Sequence, residues 1–232
     1  MPAGALAATL LTTLLAGQPA HHHEPAPVQQ PLAPGYSALA FKAPPPGSYS
    51  LPPLGDAADG RIVASTGESL RLHQLYGDKL VVLSFIFTSC SDVNGCPLAS
   101  FVLSQVQQRV LADPRLRDRV RLVSLSFDPA RDTPARLESY ASSFRRDGFD
   151  WRFVGSASEE QLKPILTAYD QSVIRDYDAD GRDLGTMSHT LRVFVIDRDR
   201  RIRNIYSPAY LHPDLLLADL QTLALEAPAR RP

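Results

Sequence analysis

A mixed β-sheet with helices on both faces, an α/β architecture, is predicted by three features of the sequence. The run from Leu80 to Phe87 is almost unbroken in apolar side chains, as a strand buried on both faces requires. From Pro97 the period changes: Leu98, Phe101, Val102, Val106 and Val110 recur at intervals of three and four, the signature of one helix face. The alternation of strand and helix then repeats before a closing β-hairpin and helix, and strands joined by helical crossovers pair into a sheet that those helices cover.

Taken in order, residues 3–16 are uncharged and apolar and resemble the h-region of a secretory signal, shorter than the ~20 residues of a membrane span. A signal peptide over residues 1–20 is expected, cleaved after Ala20. No Lys or Arg precedes the apolar stretch, so an uncleaved anchor is the alternative, and no cysteine lies there to carry a lipid. Residues 21–50 read as a Pro/Ala-rich tether stiffened at Pro44-Pro45-Pro46, with Tyr36, Leu39 and Phe41 as isolated apolar residues able to dock on the body. Its His21-His22-His23 reads as a remnant of an expression tag, a solvated patch, or a metal-catching tail without selectivity.

The folded domain is expected over residues 51–226, with 227–232 as a tail. Gly60 to Leu75 suits a hairpin. Leu80–Phe87 is the first central strand, and Pro97 stands in the first turn of the helix that follows. Val120–Phe127 is the next strand; Thr133 then caps a helix with Pro134 at its first position, running to about Phe144. Trp151–Val154 is a short strand. Ser158 and Gln161 form a capping box for a helix toward Tyr169, which Pro164 should shorten or kink. Leu191–Ile196 and Arg201–Tyr206 form a hairpin about residues 197–200, and Pro213 opens a last helix through Leu225.

The 24 basic and 25 acidic residues leave a net charge of −1 with no long run of one sign, which argues against a nucleic-acid partner. The two cysteines of the chain, Cys90 and Cys96, both fall at the corner between the first central strand and its helix. A helix N-terminus favours negative charge and so lowers thiol pKa. The five residues between them are turn-rich and can fold back to bring both sulfurs together, so a disulfide and a metal chelate are both open. Export to an oxidising compartment adds a third reading, one structural disulfide. A loop this short stabilises little by chain entropy, so the staple is poorly placed.

Three ordered segments narrow the choice. Phe87 to Leu98, carrying both cysteines, Ser126-Phe-Asp-Pro-Ala-Arg-Asp-Thr-Pro134, and Ser188-His189-Thr190 followed by Phe194-Val-Ile-Asp197 resemble the three hallmarks of the Sco/SenC family of copper chaperones. The resemblance spans about Leu51 to Leu225. It implies a thioredoxin-like fold, with Cys90, Cys96 and His189 as metal ligands. It further implies copper, as Cu(I) or Cu(II), and a periplasmic or otherwise exported protein, which the N-terminal apolar segment would hold near the membrane if it stays uncleaved. The implied client is a cuproprotein such as the copper subunit of cytochrome c oxidase, with a copper donor or thiol reductant upstream. The family places three residues between its cysteines, usually with Pro after the first; this chain has five, with Ser91 after Cys90.

The residue chemistry agrees: two thiolates select Cu(I), and an imidazole also supports Cu(II). The same donors would make a zinc set with one open position. A metallochaperone rather than a turnover enzyme is the expectation. A periplasmic thiol:disulfide oxidoreductase using the cysteines without metal is the alternative, and a redox or copper sensor a third. A peroxiredoxin is disfavoured by the absence of the Pro-Thr-Cys spacing, and a thioredoxin-type reductase by the absence of Pro between Asp183 and Leu191. His73 and His212 have no metal context, His212 standing where a helix cap is expected. Asp128 to Thr133 reads as turn and cap, and Asp92 is not assigned as a ligand.

Overall fold

The computed structural model of the protein describes Met1 and residues 36–226 of the chain. The apolar N-terminal segment, His21-His22-His23 and the tail at 227–232 lie outside the described residues.

The strands are β1 (Gly55–Asp56), β2 (Arg61–Ala64), β3 (Ser69–Arg71), β4 (Leu80–Ile86), β5 (Val120–Ser126), β6 (Trp151–Gly155), β7 (Val173–Tyr177), β8 (Asp183–His189), β9 (Val193–Ile196) and β10 (Arg201–Tyr206). The helices are α1 (Leu72–Tyr76), α2 (Cys96–Ala112), α3 (Pro134–Ser142), α4 (Glu159–Ala168) and α5 (Pro213–Leu225). Eight strands form one sheet in the order β1-β10-β9-β4-β5-β6-β2-β3. β4, β5 and β6 run parallel, whereas β9 and β10 close the sheet antiparallel beyond β4. The expected mixed sheet is therefore the one that forms. Every residue of β4 is buried, which accounts for its uninterrupted apolar run.

The local signals act as their chemistry dictates. Thr133 accepts the Arg136 N–H at the start of α3, and His212 Nδ1 accepts the Asp214 N–H at the start of α5, so that histidine is a cap. Ser158 accepts the Gln161 N–H, one half of the expected capping box. Pro164 does not end α4: it sits on the exposed side, opposite buried Leu162 and Ile165, where water can satisfy the carbonyl that loses its donor. The hairpin of β2 and β3 stops at Arg71 instead of running to Leu75. There Leu72, Leu75 and Tyr76 turn their buried side chains inward at helical spacing, and the Asp59 carboxylate accepts the His73 N–H at 3.0 Å.

Two findings go beyond the expected element list. The stretch from Tyr36 to Leu51 lies against α2 and α5. Tyr36 packs edge-on to Phe101 and bonds His212 Nε2 at 2.9 Å, Gly47 N–H donates to Thr222, and Tyr49 donates to Asp219 at 2.7 Å. Tyr36 thus docks as expected, whereas Phe41 is 52% exposed. The second finding is the hairpin of β7 and β8, a separate two-stranded sheet. It is closed at residues 178–182, where Asp178 Oδ1 accepts the N–H groups of Asp180 and Arg182 and Gly181 adopts φ +78°.

Candidate metal centre

β4 delivers the chain to the site. Beyond Phe87, the Thr88 N–H and hydroxyl both donate to the carboxylate of Asp132, at 3.0 and 2.5 Å, and Ser126 donates to the same group at 2.6 Å. Asp132 is buried in the connection between β5 and α3, so the segment that the sequence reads as turn and cap also fixes the first residue of the cysteine loop. The loop folds back at Asp92, whose Oδ1 accepts the Asn94 N–H and whose carbonyl accepts that of Gly95. A Cβ at Gly95 would stand 3.2 Å from Asp92 Oδ2, so the return is tight. The extra residues of this loop thereby bulge into solvent while Cys96 becomes the first residue of α2.

His189 closes the site as the last residue of β8. Its Nε2 lies 3.6 Å from the Cys96 Sγ, and its ring rests against Phe127, centroids 4.8 Å apart, and Phe87, at 6.2 Å. The two sulfurs and a ring nitrogen all lie within 4.8 Å of one another. Metal–sulfur bonds of about 2.3 Å and metal–nitrogen bonds of about 2.0 Å put the donors of a trigonal set about 4 Å apart, so one soft ion fits with a small contraction. The sulfurs are not bridged. Cys96 is fully buried; Cys90 is part-exposed at a cleft of about 450 Å³ whose walls include Asp92, Asp176, Met187 and His189.

The two thiols are made unequal by this placement. The Cys96 thiol, followed by His189 and the N–H groups of Cys96 and Asp92, hydrogen-bonds the Cys90 sulfur and outweighs its partial burial, lowering its pKa to about 5. Burial, reinforced by the charge on Cys90, pushes the Cys96 thiol up. The cleft therefore presents a thiolate at its floor with a protonated thiol behind it.

The three residues singled out from the sequence are thus brought together, and Asp92 stays outside the three-donor group. His73 Nε2 pairs with the Ala57 carbonyl at 2.8 Å, away from the site. The contributions of Phe127, Met187 and Asp132 were not read from the sequence. Phe127 and Asp132 follow β5, one strand on in the chain, and Met187 lies four strands on in β8, so none gives a local signal, though Phe127 and Asp132 lie within the second hallmark segment.

A thioredoxin-like domain with two thiols at a strand-to-helix corner and a histidine opposite them is the class this architecture defines. The sequence pattern of the SCO1/SenC family matches residues 58–225, and the chain belongs to that family. It is similar to the SCO1 protein homolog of Bacillus subtilis, 20% identical over 157 residues that make up 67% of this chain and 76% of that protein. The copper-bound structure of ScoI from Bradyrhizobium japonicum has a TM-score of 0.60 at 26% identity, covering 72% of this chain and 99% of that one. Apo Sco1 from Thermus thermophilus has a TM-score of 0.60 at 30% identity, over 76% of this chain and 95% of that one.

Proposed function

We propose that this protein is a copper metallochaperone that holds one copper ion between Cys90, Cys96 and His189 and passes it to a client cuproprotein, such as the copper subunit of cytochrome c oxidase. The reading rests on the convergence of two sulfurs and an imidazole nitrogen within 4.8 Å, and the copper-bound relative supports the identity of the ion. The donor set suits the task. Thiolates hold Cu(I) by softness, and three donors leave room for an incoming ligand, so exchange can proceed through the partly open Cys90 side. Cys96, fixed at the start of α2, keeps the ion from leaving before the acceptor has engaged. We place the protein outside the cytoplasm, with residues 1–20 as signal or anchor and residues 51–226 as the copper-binding domain. Among the described residues no helix is long and apolar enough to cross a membrane.

Copper analysis of the reduced protein tests this directly. One ion per chain is expected, with Cys90→Ser and Cys96→Ser each abolishing binding. Full stoichiometry in the double variant would move the site elsewhere, with His21-His22-His23 examined first.

The inequality of the thiols supports a second reading, a thiol:disulfide oxidoreductase. The Cys90 thiolate would attack one sulfur of a partner disulfide, expelling the other as a thiolate. Cys96, giving up its proton, would then attack the Cys90 sulfur, leaving a Cys90–Cys96 disulfide and a reduced partner. His189→Ala separates the readings. It should weaken copper binding strongly and leave the cysteine redox couple operating; copper binding like wild type with loss of exchange would install the oxidoreductase instead.

A further inference from the structure

The third donor of the centre stands on a part of the protein that the main sheet does not hold. Among the described residues β7 and β8 pair only with each other, so His189 reaches the cysteines on a two-stranded arm. Cys90, in the loop after β4, and Cys96, the first residue of α2, are instead carried by elements of the eight-stranded body.

On its side away from the sulfurs the ring has no polar orienting group among the described residues. A metal-binding imidazole ordinarily donates its second N–H to a carboxylate or carbonyl, which fixes ring direction. Here Nδ1 of His189 is buried and has no hydrogen-bond partner among the described residues. Phe87 and Phe127 offer apolar contact, which limits position more than direction. The orientation of the ring is therefore inherited from the arm.

The arm is fastened by a buried charge. Asp128, 1% exposed and just beyond β5, accepts Arg131 Nη1 and Arg175 Nη2, each at 3.1 Å. Arg175 belongs to β7 and also reaches Glu159 on α4 at 2.6 Å. Arg131 reaches Asp183, the first residue of β8, at 2.6 Å. One carboxylate thus grips β7 directly and β8 through Arg131. Exposed ion pairs contribute little, but a buried carboxylate held by two guanidinium groups is stiff, because losing either leaves charge uncompensated.

We propose that Asp128 is a positioning residue for the metal centre: through Arg131 and Arg175 it clamps the arm of β7 and β8 so that His189 Nε2 is held over the cysteine pair. The proposal rests on the copper reading above and adds the device that places its third ligand.

A double-mutant cycle on Cu(I) affinity, read by competition with a chromophoric Cu(I) chelator, tests it. Asp128→Asn and Arg175→Met should each weaken binding about tenfold or more, the usual effect of removing an orienting partner. Arg175→Lys should restore most of the loss. In a His189→Ala background the same substitutions should change affinity by less than about twofold, since no ligand is left to position. An equal loss in both backgrounds, or wild-type affinity in the folded variants, overturns the clamp. If Asp128→Asn does not fold, Arg175→Met and Arg131→Gln, at part-exposed positions, complete the cycle.

A second readout needs no copper. In the metal-free protein the His189 ring protons should carry a ring-current shift from Phe127, and Arg175→Met should average it away; an unchanged shift overturns the clamp by itself. Failure of the copper reading looks different: wild type would bind no copper, or His189→Ala would bind it as wild type does.

Discussion

The reactivity of Cys90 toward a small disulfide puts numbers on the unequal thiols. With its pKa at about 5, Cys90 is about nine-tenths thiolate at pH 6, against about 0.3% for a free thiol near 8.5. That is a gain of about 300-fold in reactive species. Thiolate nucleophilicity falls with basicity at a Brønsted slope of about 0.45, which over about 3.5 units takes back roughly 40-fold. The expected net advantage at pH 6 is therefore about sevenfold to eightfold over a free thiol, with a half-point of the pH–rate curve near 5. The assay is release of thiopyridone from 4,4′-dithiodipyridine by reduced, metal-free protein between pH 4 and 9. Two thiopyridones should leave per chain, the second as Cys96 resolves the mixed disulfide. Cys96→Ala removes the principal donor to the Cys90 sulfur and should move the half-point upward. A wild-type half-point above pH 8, or first attack by Cys96, would refute the assignment of the charge to Cys90.

Asp132→Ala strips the partner from the Thr88 N–H and from the Thr88 and Ser126 hydroxyls. It should cost about 3 kcal/mol and lower the melting temperature by about 6–12 °C, with a loss under about 2 °C counting against the brace. Ser158→Ala removes the cap of α4 and should cost about 1 kcal/mol by denaturant unfolding at an unchanged m-value.

Most of the fold was legible because its elements carry their own periods. The apolar run of β4, the threefold and fourfold spacing of α2 and the Thr133-Pro134 and His212-Pro213 starts each encode a local decision that tertiary packing then honours. The hairpin of β7 and β8 was not, since half of its strand residues are exposed and its apolar side chains show no alternation. The one usable signal was the Asp180-Gly181 turn between two short runs. The donors Cys90, Cys96 and His189 were named from family hallmarks; the sequence alone gave no reason to join a loop near residue 90 to a strand ending at 189. Asp128 and Asp132 stood in a recognised segment, but only the packing of β5 beside β4 reveals that one faces the histidine arm and the other the cysteine loop.

The pairing of the arm carries a consequence of its own. Val173 faces His189 and Ile174 faces Ser188, yet Tyr177 faces Asp183, the surplus of β8 being taken up where Gly185 adopts φ +76°. Side chains alternate across a strand with a period of two, so a slip of one position exchanges the faces of every residue. Identity of the third donor is thus a matter of parity: an odd slip of β8 turns Ser188 toward the sulfurs, and an even one brings back an alternate residue of the histidine's own face. The surplus at Gly185, four residues from the donor, is two residues and therefore even, so the bulge lengthens β8 without exchanging its faces.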